Sequence, residues 1–297
     1  MARKLRTAIG DALTPVARAW IRYAPLSIGK PWLWQTFHWR PHAFECRTRF
    51  GGLMTGNTED LIQRHLYFFG NWEPNISAWI ASRLQPGDCF VDIGANIGHY
   101  SLLASNLVGD EGRVVAIEAA QWIHALLDKH VSLNRRRNIR TVQVAAAAQS
   151  GTLRLYPGKA GNIGKTTTVG HGGDSVEVKA LPLSEILHED ELARMRIIKI
   201  DVEGAELQVV RGMAQLLERT RNDLEIVMEV TPEPDAAGVT AHEEIFDTMR
   251  RHGFAPYLFD NDYGVDTYLR NGNAAPVRLT DDRLTRQADV LFSRAHY

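Results

Sequence analysis

A glycine-rich segment that follows an apolar stretch has the spacing of a ligand-binding loop. The apolar residues 89–91 lead into Asp-Ile-Gly-Ala-Asn-Ile-Gly at 92–98, and a helical pattern comes next. Glycines let the backbone turn sharply and approach a ligand closely, and the free N–H groups of the following helix end can bind an anionic group. The residues expected to contact a cofactor here are Asp92, Gly94, Asn96 and Gly98.

A second acidic residue, Glu118, ends the next apolar stretch, 114–117. A carboxylate in this place can accept hydrogen bonds from both hydroxyls of a ribose, as the acid roughly 20 residues beyond the loop does in nucleotide-binding folds. Asn96 stands where a dinucleotide fingerprint has its second glycine, which argues against a pyrophosphate. An acid before the first glycine also suits a ligand with an amino group. The pattern therefore predicts S-adenosylmethionine (SAM) as the cofactor, with helix capping as the alternative role of Glu118.

Another acidic motif follows the apolar stretch 196–200. The two-residue period of a strand places Lys199 and Asp201 on one face, and a lysine in a buried strand requires a partner. Ligands of doubly wound sheets bind at the carboxyl ends of the strands. We therefore expect Asp201 at the edge of the site, close to Lys199 and followed by Glu203.

The cofactor supplies the activated methyl group, so the protein has to align an acceptor and remove its proton. The main candidates for that base are Asp201, Glu203 and His171, and His171 lies in a Gly-rich stretch that could close over the acceptor. His99 is expected to serve packing, and His242 to lie on an exposed helix surface.

Glu229 ends the strand pattern after the acidic motif and could share a crevice with Asp201. Two close carboxylates could bind a divalent cation or share a proton. No His/Asp cluster has ligand spacing, so we predict no metal site and a hydrogen-bonded structural role for Glu229.

At these residues the chain resembles class I SAM-dependent methyltransferases and, more narrowly, the FkbM family. The narrower resemblance rests on Ile-Lys-Ile-Asp-Val-Glu-Gly-Ala-Glu at 198–206, on Phe-Gly-Asn-Trp-Glu-Pro at 69–74, and on Leu133-Asn134. It covers roughly residues 65–230. The chain departs from the family pattern at two places. Residues 119–120 are alanines where an acid–proline pair is common, and residues 145–148 are four alanines at the place where side chains that flank the adenine are expected.

The resemblance implies O-methylation of a hydroxyl on a sugar, a glycan or a polyketide-like metabolite. It also implies that Glu73 and Ala146 contact the cofactor. Two other functions remain open: a catalytically silent SAM-binding scaffold, and a nucleotide-cofactor oxidoreductase of similar fold.

Short apolar strands alternate with amphipathic helices from residue 86 onward, which is typical of a parallel sheet covered on both faces. The sequence predicts a doubly wound, Rossmann-like α/β domain at 86–297 with a mostly parallel seven-stranded sheet, preceded by an extension at 1–85. The extension should contain helices and a strand at 44–50. A hairpin is inserted at about 151–181, and its Gly/Thr/Lys-rich loop 158–174 is expected to act as a lid. The strands expected in the sheet are 89–93, 113–118, 139–144, 196–200, 224–230, 254–259 and 288–293.

Charge is unevenly distributed along the chain. The net charge of −1 argues against nucleic-acid binding, but residues 1–50 carry nine Lys/Arg against two acids together with four tryptophans. Such a composition can mark a surface that rests on an anionic membrane, or a helical arm whose tryptophans pack on the main domain. With two cysteines and no apolar run of about 18 residues, we expect a cytoplasmic protein, and the first of these two options would make it peripheral at the inner face of the membrane.

Overall fold

The N-terminal third consists of four helices and a hairpin. The computed structural model describes residues 2–158, 175–232, 241–270, 272, 274–280 and 284–295. Its first elements are α1 (Ala2–Tyr23), α2 (Lys30–Phe37), β1 (Ala43–Arg47), β2 (Leu53–Asn57), α3 (Leu61–Phe69) and α4 (Pro74–Arg83). Strands β1 and β2 pair antiparallel. The predicted strand 44–50 therefore forms half of a hairpin whose other strand the sequence pattern did not indicate.

The remainder alternates strands with helices. The central elements are β3 (Cys89–Ile93), α5 (His99–Val108), β4 (Arg113–Ile117), α6 (Gln121–Leu133), β5 (Ile139–Val142), β6 (Ala145–Ala146), β7 (Gly151–Leu155), β8 (Val176–Leu181), α7 (Leu183–Ile186) and α8 (Glu189–Arg194). The last are β9 (Met195–Ile200), α9 (Glu206–Leu217), β10 (Glu225–Val230), α10 (Ala241–Arg251), β11 (Ala255–Leu258), α11 (Val265–Leu269), β12 (Val277–Arg278) and β13 (Ala288–Ser293).

The main sheet has the strand order β12-β11-β13-β10-β9-β3-β4-β5. Strands β10, β9, β3, β4 and β5 are parallel, whereas β13 runs antiparallel between β10 and β11. All seven predicted strands are present, and the two-residue strand β12 adds an eighth within the described part of the chain. The doubly wound, mostly parallel fold is confirmed. The proposed domain boundary near residue 86 stays a prediction.

Both faces of the sheet are covered because its central strands are apolar on both sides. All five residues of β3 are buried. Phe90 joins a core formed with α4, α5 and α6, whereas Val91 and Ile93 join a second core formed with α9 and α10. The extension contributes Ala17, Ile21 and the aromatic residues of α3 to the Phe90 core. Alternation of side chains along a strand produces this division.

The inserted hairpin is present, with β7 antiparallel to β8 and β6 parallel to β8 in a separate three-stranded sheet. Residues 159–174 lie outside the described residues, so His171 and most of the expected lid stay predictions. His242 on α10 is buried rather than exposed as expected, because its side of the helix packs on the sheet with Ile245 and Phe246.

The tryptophans of the N-terminal arm divide into two groups. Trp34 packs against His65, Phe68 and Phe69 of α3, within the extension itself. Trp20, Trp32 and Trp39 are exposed. No helix in the described ranges is long and apolar enough to span a bilayer.

A buried ion cluster connects α4 to the sheet. The carboxylate of Glu225 on β10 accepts two hydrogen bonds from Arg83, at 2.9 and 3.1 Å, and lies 2.7 Å from Nη1 of Arg196 on β9. Only 2% of the Glu225 side chain is exposed. Breaking such a pair leaves a charge buried without its partner.

We expect Glu225→Gln to lower the free energy of unfolding by about 3–5 kcal/mol because Arg196 would lose its buried counter-charge. The matched control is Glu244→Gln. This residue pairs with Arg211 on the surface at 2.6 Å, where such a pair contributes about 1 kcal/mol or less. Urea unfolding of both variants measures the difference. Equal losses would show that the Glu225 cluster has no special importance for stability.

Candidate active site

A cavity of about 740 Å³ opens at the carboxyl ends of β3, β4, β9 and β10. This is the edge at which open α/β sheets bind ligands, and the volume lies within the usual range of about 300–1,000 Å³ for small-molecule sites. One part of the wall comes from the glycine loop, the end of β4 and β6. The other part comes from the acidic motif after β9, from Glu229, and from residues 258–263 and 284–289.

Gly94 allows the glycine loop, residues 92–98, to contact the acidic motif after β9. Its φ is +77°, and a Cβ at this position would lie 1.8 Å from the carbonyl oxygen of Asp201. The backbone N–H of Asp201 also donates to the carbonyl of Ile93 at 2.9 Å. The loop and the motif are therefore in direct backbone contact, and no side chain fits between them.

Glu118 lies on the cavity wall and is held by backbone donors. Its Oε2 accepts a hydrogen bond from the N–H of Asn96 at 3.0 Å, and its Oε1 accepts one from the N–H of Ala120 at 2.9 Å. Burial raises the pKa of Glu118 to about 7, although both backbone donors act to lower it. Each carboxylate oxygen has a further lone pair for a ligand hydroxyl.

Two of the residues expected to bind the cofactor lie behind the cavity wall. Asp92 is 1% exposed; its Oδ2 accepts a hydrogen bond from Ser101 at 2.5 Å, and its Oδ1 has no hydrogen-bond partner among the described residues. Gly98 allows α5 to approach α6, since a Cβ there would lie 2.7 Å from Leu127 Cδ1. Gly94, Asn96, Glu118 and Ala146 line the cavity itself. The cofactor contacts of all these residues stay predictions.

Lys199 is the buried cation at the centre of the acidic edge. Its Nζ lies 2.7 Å from Oδ2 of Asp201 and 4.8 Å from the ring centre of Tyr100. Burial alone would lower the pKa of Lys199, but the carboxylates of Asp201, Glu73 and Asp92 raise it above its usual value. The pairing of Lys199 with Asp201 that the strand period indicated is present.

Further carboxyl groups face Asp201 across the cavity. Glu229 lies on the neighbouring strand, in the crevice expected from the sequence. Burial and then Asp201 raise the pKa of Glu229 to about 9, and burial raises the pKa of Asp289 to about 6. Glu203 lines the same wall. In the described parts of the chain, no three His, Cys, Asp or Glu side chains are arranged to hold a metal ion.

Glu73 reaches the cavity from the start of α4. Its Oε2 accepts a hydrogen bond from Tyr100 at 2.6 Å, and its Oε1 lies 3.4 Å from the hydroxyl of Tyr263. Burial and then Asp289 raise the pKa of Glu73 to about 8. Glu73 is thus a buried carboxyl group on the cavity wall.

Unfavourable backbone conformations are concentrated at this cavity. Four non-glycine residues have positive φ among the described residues, and three of them line the cavity: Glu73 at 43°, Asn96 at 50° and Glu203 at 45°. Such conformations cost on the order of 1–3 kcal/mol and cluster at ligand sites. The three residues occur in the three segments singled out from the sequence.

The histidine candidates lie elsewhere. His99 is buried behind the wall, where its Nε2 is 3.2 Å from the Ser77 hydroxyl, and burial lowers its pKa to about 3. His242 is buried on α10, outside the cavity wall. Neither position suits a base for a ligand in this cavity.

The C-terminal wall was not expected from the sequence. Tyr263 stacks on Trp72 with ring centres 5.1 Å apart, and Asn261 donates to Asp289 at 2.8 Å. Asp289 stands at this edge because β13 runs antiparallel, so that its beginning meets the carboxyl ends of its neighbours. The direction of β13 is a property of the tertiary structure, so no sequence pattern indicated Asp289.

A doubly wound sheet with a glycine loop, an acid after the second strand and a cavity at their carboxyl edge defines the class I methyltransferase fold. A family model described as "Methyltransferase FkbM domain" matches residues 92–256, which is more than half of the chain. The chain therefore belongs to the FkbM methyltransferase family, and SAM as its cofactor is confirmed at the level of that family.

Three curated relatives are 23–29% identical to the chain over the segments that match. Methyltransferase sdnD of Sordaria araneosa is 29% identical, over 44% of this chain and 62% of its own length. Hexuronic acid methyltransferase AglP of Haloferax volcanii is 23% identical over 57% and 66%. The 31-O-demethyl-FK506 methyltransferase FkbM of Streptomyces tacrolimicus is 27% identical over 58% and 74%. For the first two, the match spans less than two thirds of the relative's length.

Gly94→Ala tests the backbone contact between the loop and the acidic motif. Gly87 has a similar φ of +89°, but a Cβ there would meet no atom of the described residues within 4 Å, so Gly87→Ala isolates conformational strain. We expect Gly87→Ala to cost about 1–2 kcal/mol of unfolding free energy. Gly94→Ala should cost about 2–5 kcal/mol because overpacking against Asp201 adds about 1–3 kcal/mol. Urea unfolding compares them; similar costs would contradict the close approach.

Proposed function

We propose that this protein is a SAM-dependent O-methyltransferase that acts on a hydroxyl of a sugar, a glycan or a polyketide-like metabolite. The observation that carries the proposal is one continuous cavity in which the wall with Gly94, Asn96 and Glu118 meets the wall with Asp201 and Glu229. The names of two relatives support the acceptor class, since one is a hexuronic acid methyltransferase and the other acts on 31-O-demethyl-FK506.

The residues of the first wall fit the cofactor. Glu118 offers carboxylate lone pairs to the ribose hydroxyls, and Ala146 with Val144 and Ile123 forms an apolar surface for the adenine. The acidic residues beyond them suit the positive sulfonium, because opposite charges attract strongly where water is partly excluded. The bound cofactor supplies the activated methyl group.

Asp201 is placed to hold the acceptor. Its Oδ2 is held by Lys199 at 2.7 Å, and about a third of its side chain is exposed. A carboxylate held in this way can accept a hydrogen bond from an acceptor hydroxyl and aim its oxygen at the methyl group. Glu203 and the expected lid with His171 would complete the acceptor side.

The alternative functions predict different behaviour. A nucleotide-cofactor oxidoreductase would bind a dinucleotide, and Asn96, with φ of 50° at the loop, stands where such enzymes have a glycine. A silent scaffold would bind SAM without methyl transfer. Calorimetry tests the oxidoreductase alternative, since that enzyme would bind NAD rather than SAM. A transfer assay with methyl-tritiated SAM tests the scaffold alternative, since a scaffold would transfer no methyl group.

The Glu118 assignment predicts pH-dependent cofactor binding. Ribose hydroxyls donate to the ionised carboxylate, so affinity for SAM should rise as pH increases through about 7, by roughly tenfold between pH 6 and pH 8. Glu118→Gln should bind about 1.5–3 kcal/mol more weakly at pH 8 and lose the part of this dependence that is centred near pH 7. The control Glu45→Gln changes an exposed carboxylate on β1. Calorimetry measures both; unchanged affinity in folded Glu118→Gln would rule the assignment out.

Asp201→Asn tests the orienting carboxylate. The substitution preserves shape but removes the charge, and misalignment of an acceptor costs on the order of 10²-fold in kcat, with SAM affinity nearly intact. Methyl glycosides of neutral and uronic hexoses serve as acceptor probes with methyl-tritiated SAM. Asp190→Asn, in an exposed pair with Arg194, is the control. Near-normal turnover of Asp201→Asn would show that Asp201 does not orient the acceptor. Inhibition of the wild type by EDTA would indicate that a metal ion takes part.

We further propose that the protein acts while resting on an anionic membrane. Leu13, Val16, Trp20 and Tyr23 form one exposed stripe along α1, while Ala17 and Ile21 on the opposite side are buried. The exposed surface continues with Leu26, Ile28, Trp32 and Trp39, so that all eight side chains are 47–73% exposed.

Charge complementarity favours an anionic bilayer over a protein partner. Arg40 lies over the exposed Trp39 at 5.1 Å, within a segment that has nine Lys/Arg and two acids. Amphipathic aromatic rings beside basic residues suit the boundary between headgroups and acyl chains. The two cysteines are buried and unbridged, which agrees with a reducing compartment and hence with the cytoplasmic face.

Vesicle sedimentation tests this surface. The protein should bind phosphatidylserine-containing vesicles more tightly than pure phosphatidylcholine, and less tightly as salt rises. Replacing Val16, Trp20 and Trp32 together by Ser should abolish binding, whereas Val277→Ser, at another exposed apolar residue, should not. Absence of vesicle binding would overturn the proposal. So would self-association, measured by light scattering, that is lost in the triple variant, because the surface would then join two copies of the chain.

A further inference from the structure

We propose that Glu73 is the general base that receives the proton of the acceptor hydroxyl, while Asp201 orients that hydroxyl. The proposal deepens the methyl-transfer function proposed above and rests on it. It assigns to Glu73 a role on the acceptor side, whereas the sequence led us to expect only a cofactor contact.

The side chain of Glu73 does not cap the helix that it precedes. Short polar side chains at this position accept hydrogen bonds from the first turn, and Pro74 follows Glu73 as the first residue of α4. Glu73 makes no such side-chain bond to α4; its φ of 43° directs the carboxylate elsewhere. Both oxygens face tyrosine hydroxyls instead, Tyr100 at 2.6 Å and Tyr263 at 3.4 Å.

The neighbouring carboxylate has a different kind of partner. The ammonium group of Lys199 lies 2.7 Å from Oδ2 of Asp201, so Lys199 competes with an acceptor hydroxyl for this oxygen. The side-chain donors to Glu73 are neutral tyrosine hydroxyls, which stabilise its charge less than a paired ammonium does. Glu73 is also 3% exposed, so that bulk water does not stabilise its charge.

The charges around Glu73 come from several elements. Burial raises its pKa to about 8, and this lies near the range in which a general base is most effective. A cationic sulfonium entering the cavity would favour the ionised form, so cofactor binding would prepare the base. The titratable and charged groups that act on Glu73 come from several elements. They are Tyr100 of α5, Lys199 of β9, Asp201 after β9, Asp289 of β13, Tyr263 before α11 and Tyr268 of α11.

The proposed step balances without a further reactant. The acceptor O–H bond breaks and its proton passes to a carboxylate oxygen of Glu73. The electron pair of that bond remains on the acceptor oxygen, which forms the new C–O bond with the methyl carbon. The C–S bond breaks with its electrons left on sulfur, and Glu73 returns its proton to water when the product leaves.

Proton release on cofactor binding tests the proposal without any acceptor. The pKa of Glu73 is raised to about 8, so near this pH binding of SAM should release a fraction of a proton from it. Calorimetry in phosphate and Tris buffers measures the release. Glu73→Gln should release correspondingly less than the wild type. Glu229→Gln is the matched comparison, because burial and Asp201 raise the pKa of Glu229 to about 9. If Glu229→Gln lowers the release and Glu73→Gln does not, the proton comes from Glu229 and the proposal is wrong.

Kinetics test the base directly, with methyl-tritiated SAM and the methyl glycoside probes. In the wild type at subsaturating SAM, kcat/KM should rise with pH through a midpoint at about 8 and level off at higher pH. Glu73→Gln should lose on the order of 10²–10⁴-fold and no longer show this rise. Tyr100→Phe removes a hydrogen bond that lowers the pKa of Glu73, so the rise should move to higher pH. A merely structural role of Tyr100 would not move it.

Each remaining outcome contradicts one of the two proposals. If Glu73→Gln is folded by circular dichroism, binds SAM and keeps both its rate and the pH rise, Glu73 is not the base. If Asp201→Asn or Glu229→Gln instead removes the rise, that residue is the base. If the wild type binds SAM but methylates no hydroxyl of the probes or of a cell extract, the proposed function fails, while the proton-release experiment still decides whether the cofactor ionises Glu73.

Discussion

The buried ammonium group of Lys199 is the interaction on which the acidic edge depends. A charged side chain inside a central strand of a parallel sheet is stable only if counter-charges accompany it. Here Asp201 supplies the close pair and Tyr100 the ring face, while Glu73 and Asp92 add longer-range attraction. The same lysine therefore permits several carboxyl groups to share one cavity.

The site is also shaped by backbone contacts that exclude side chains. The approach of Gly94 to the carbonyl of Asp201 closes the floor of the cavity, and the left-handed conformations of Asn96, Glu203 and Glu73 turn the chain around it. Three segments distant in sequence thus meet in strained geometry at a single place. Packing on both faces of the sheet provides the stability that maintains this strain.

The N-terminal extension forms part of the site rather than an appendage to it. Trp72 and Glu73 on the approach to α4, and Leu61 and Ile62 on α3, line the cavity, while the same helices bury aromatic residues against α5 and the sheet. Docking of the extension therefore positions Glu73 relative to Tyr100. An arm that exposes apolar residues on its outer side can hold this assembly against another surface while leaving the cavity free.

The sequence by itself determined the elements and the local chemistry: the seven main strands, the glycine loop, Glu118 and the pairing of Lys199 with Asp201. These follow from hydrophobic periodicity, from the special backbone of glycine and from the cost of burying an unpaired charge, all of which act over a few residues. Only the tertiary structure decided that Asp92 lies behind the wall, that His242 is buried, and that Asp289 and Tyr263 complete the cavity. Those outcomes depend on which strands are neighbours and in which direction they run, and contacts across about 190 residues, such as that of Tyr263 with Glu73, leave no short-range pattern.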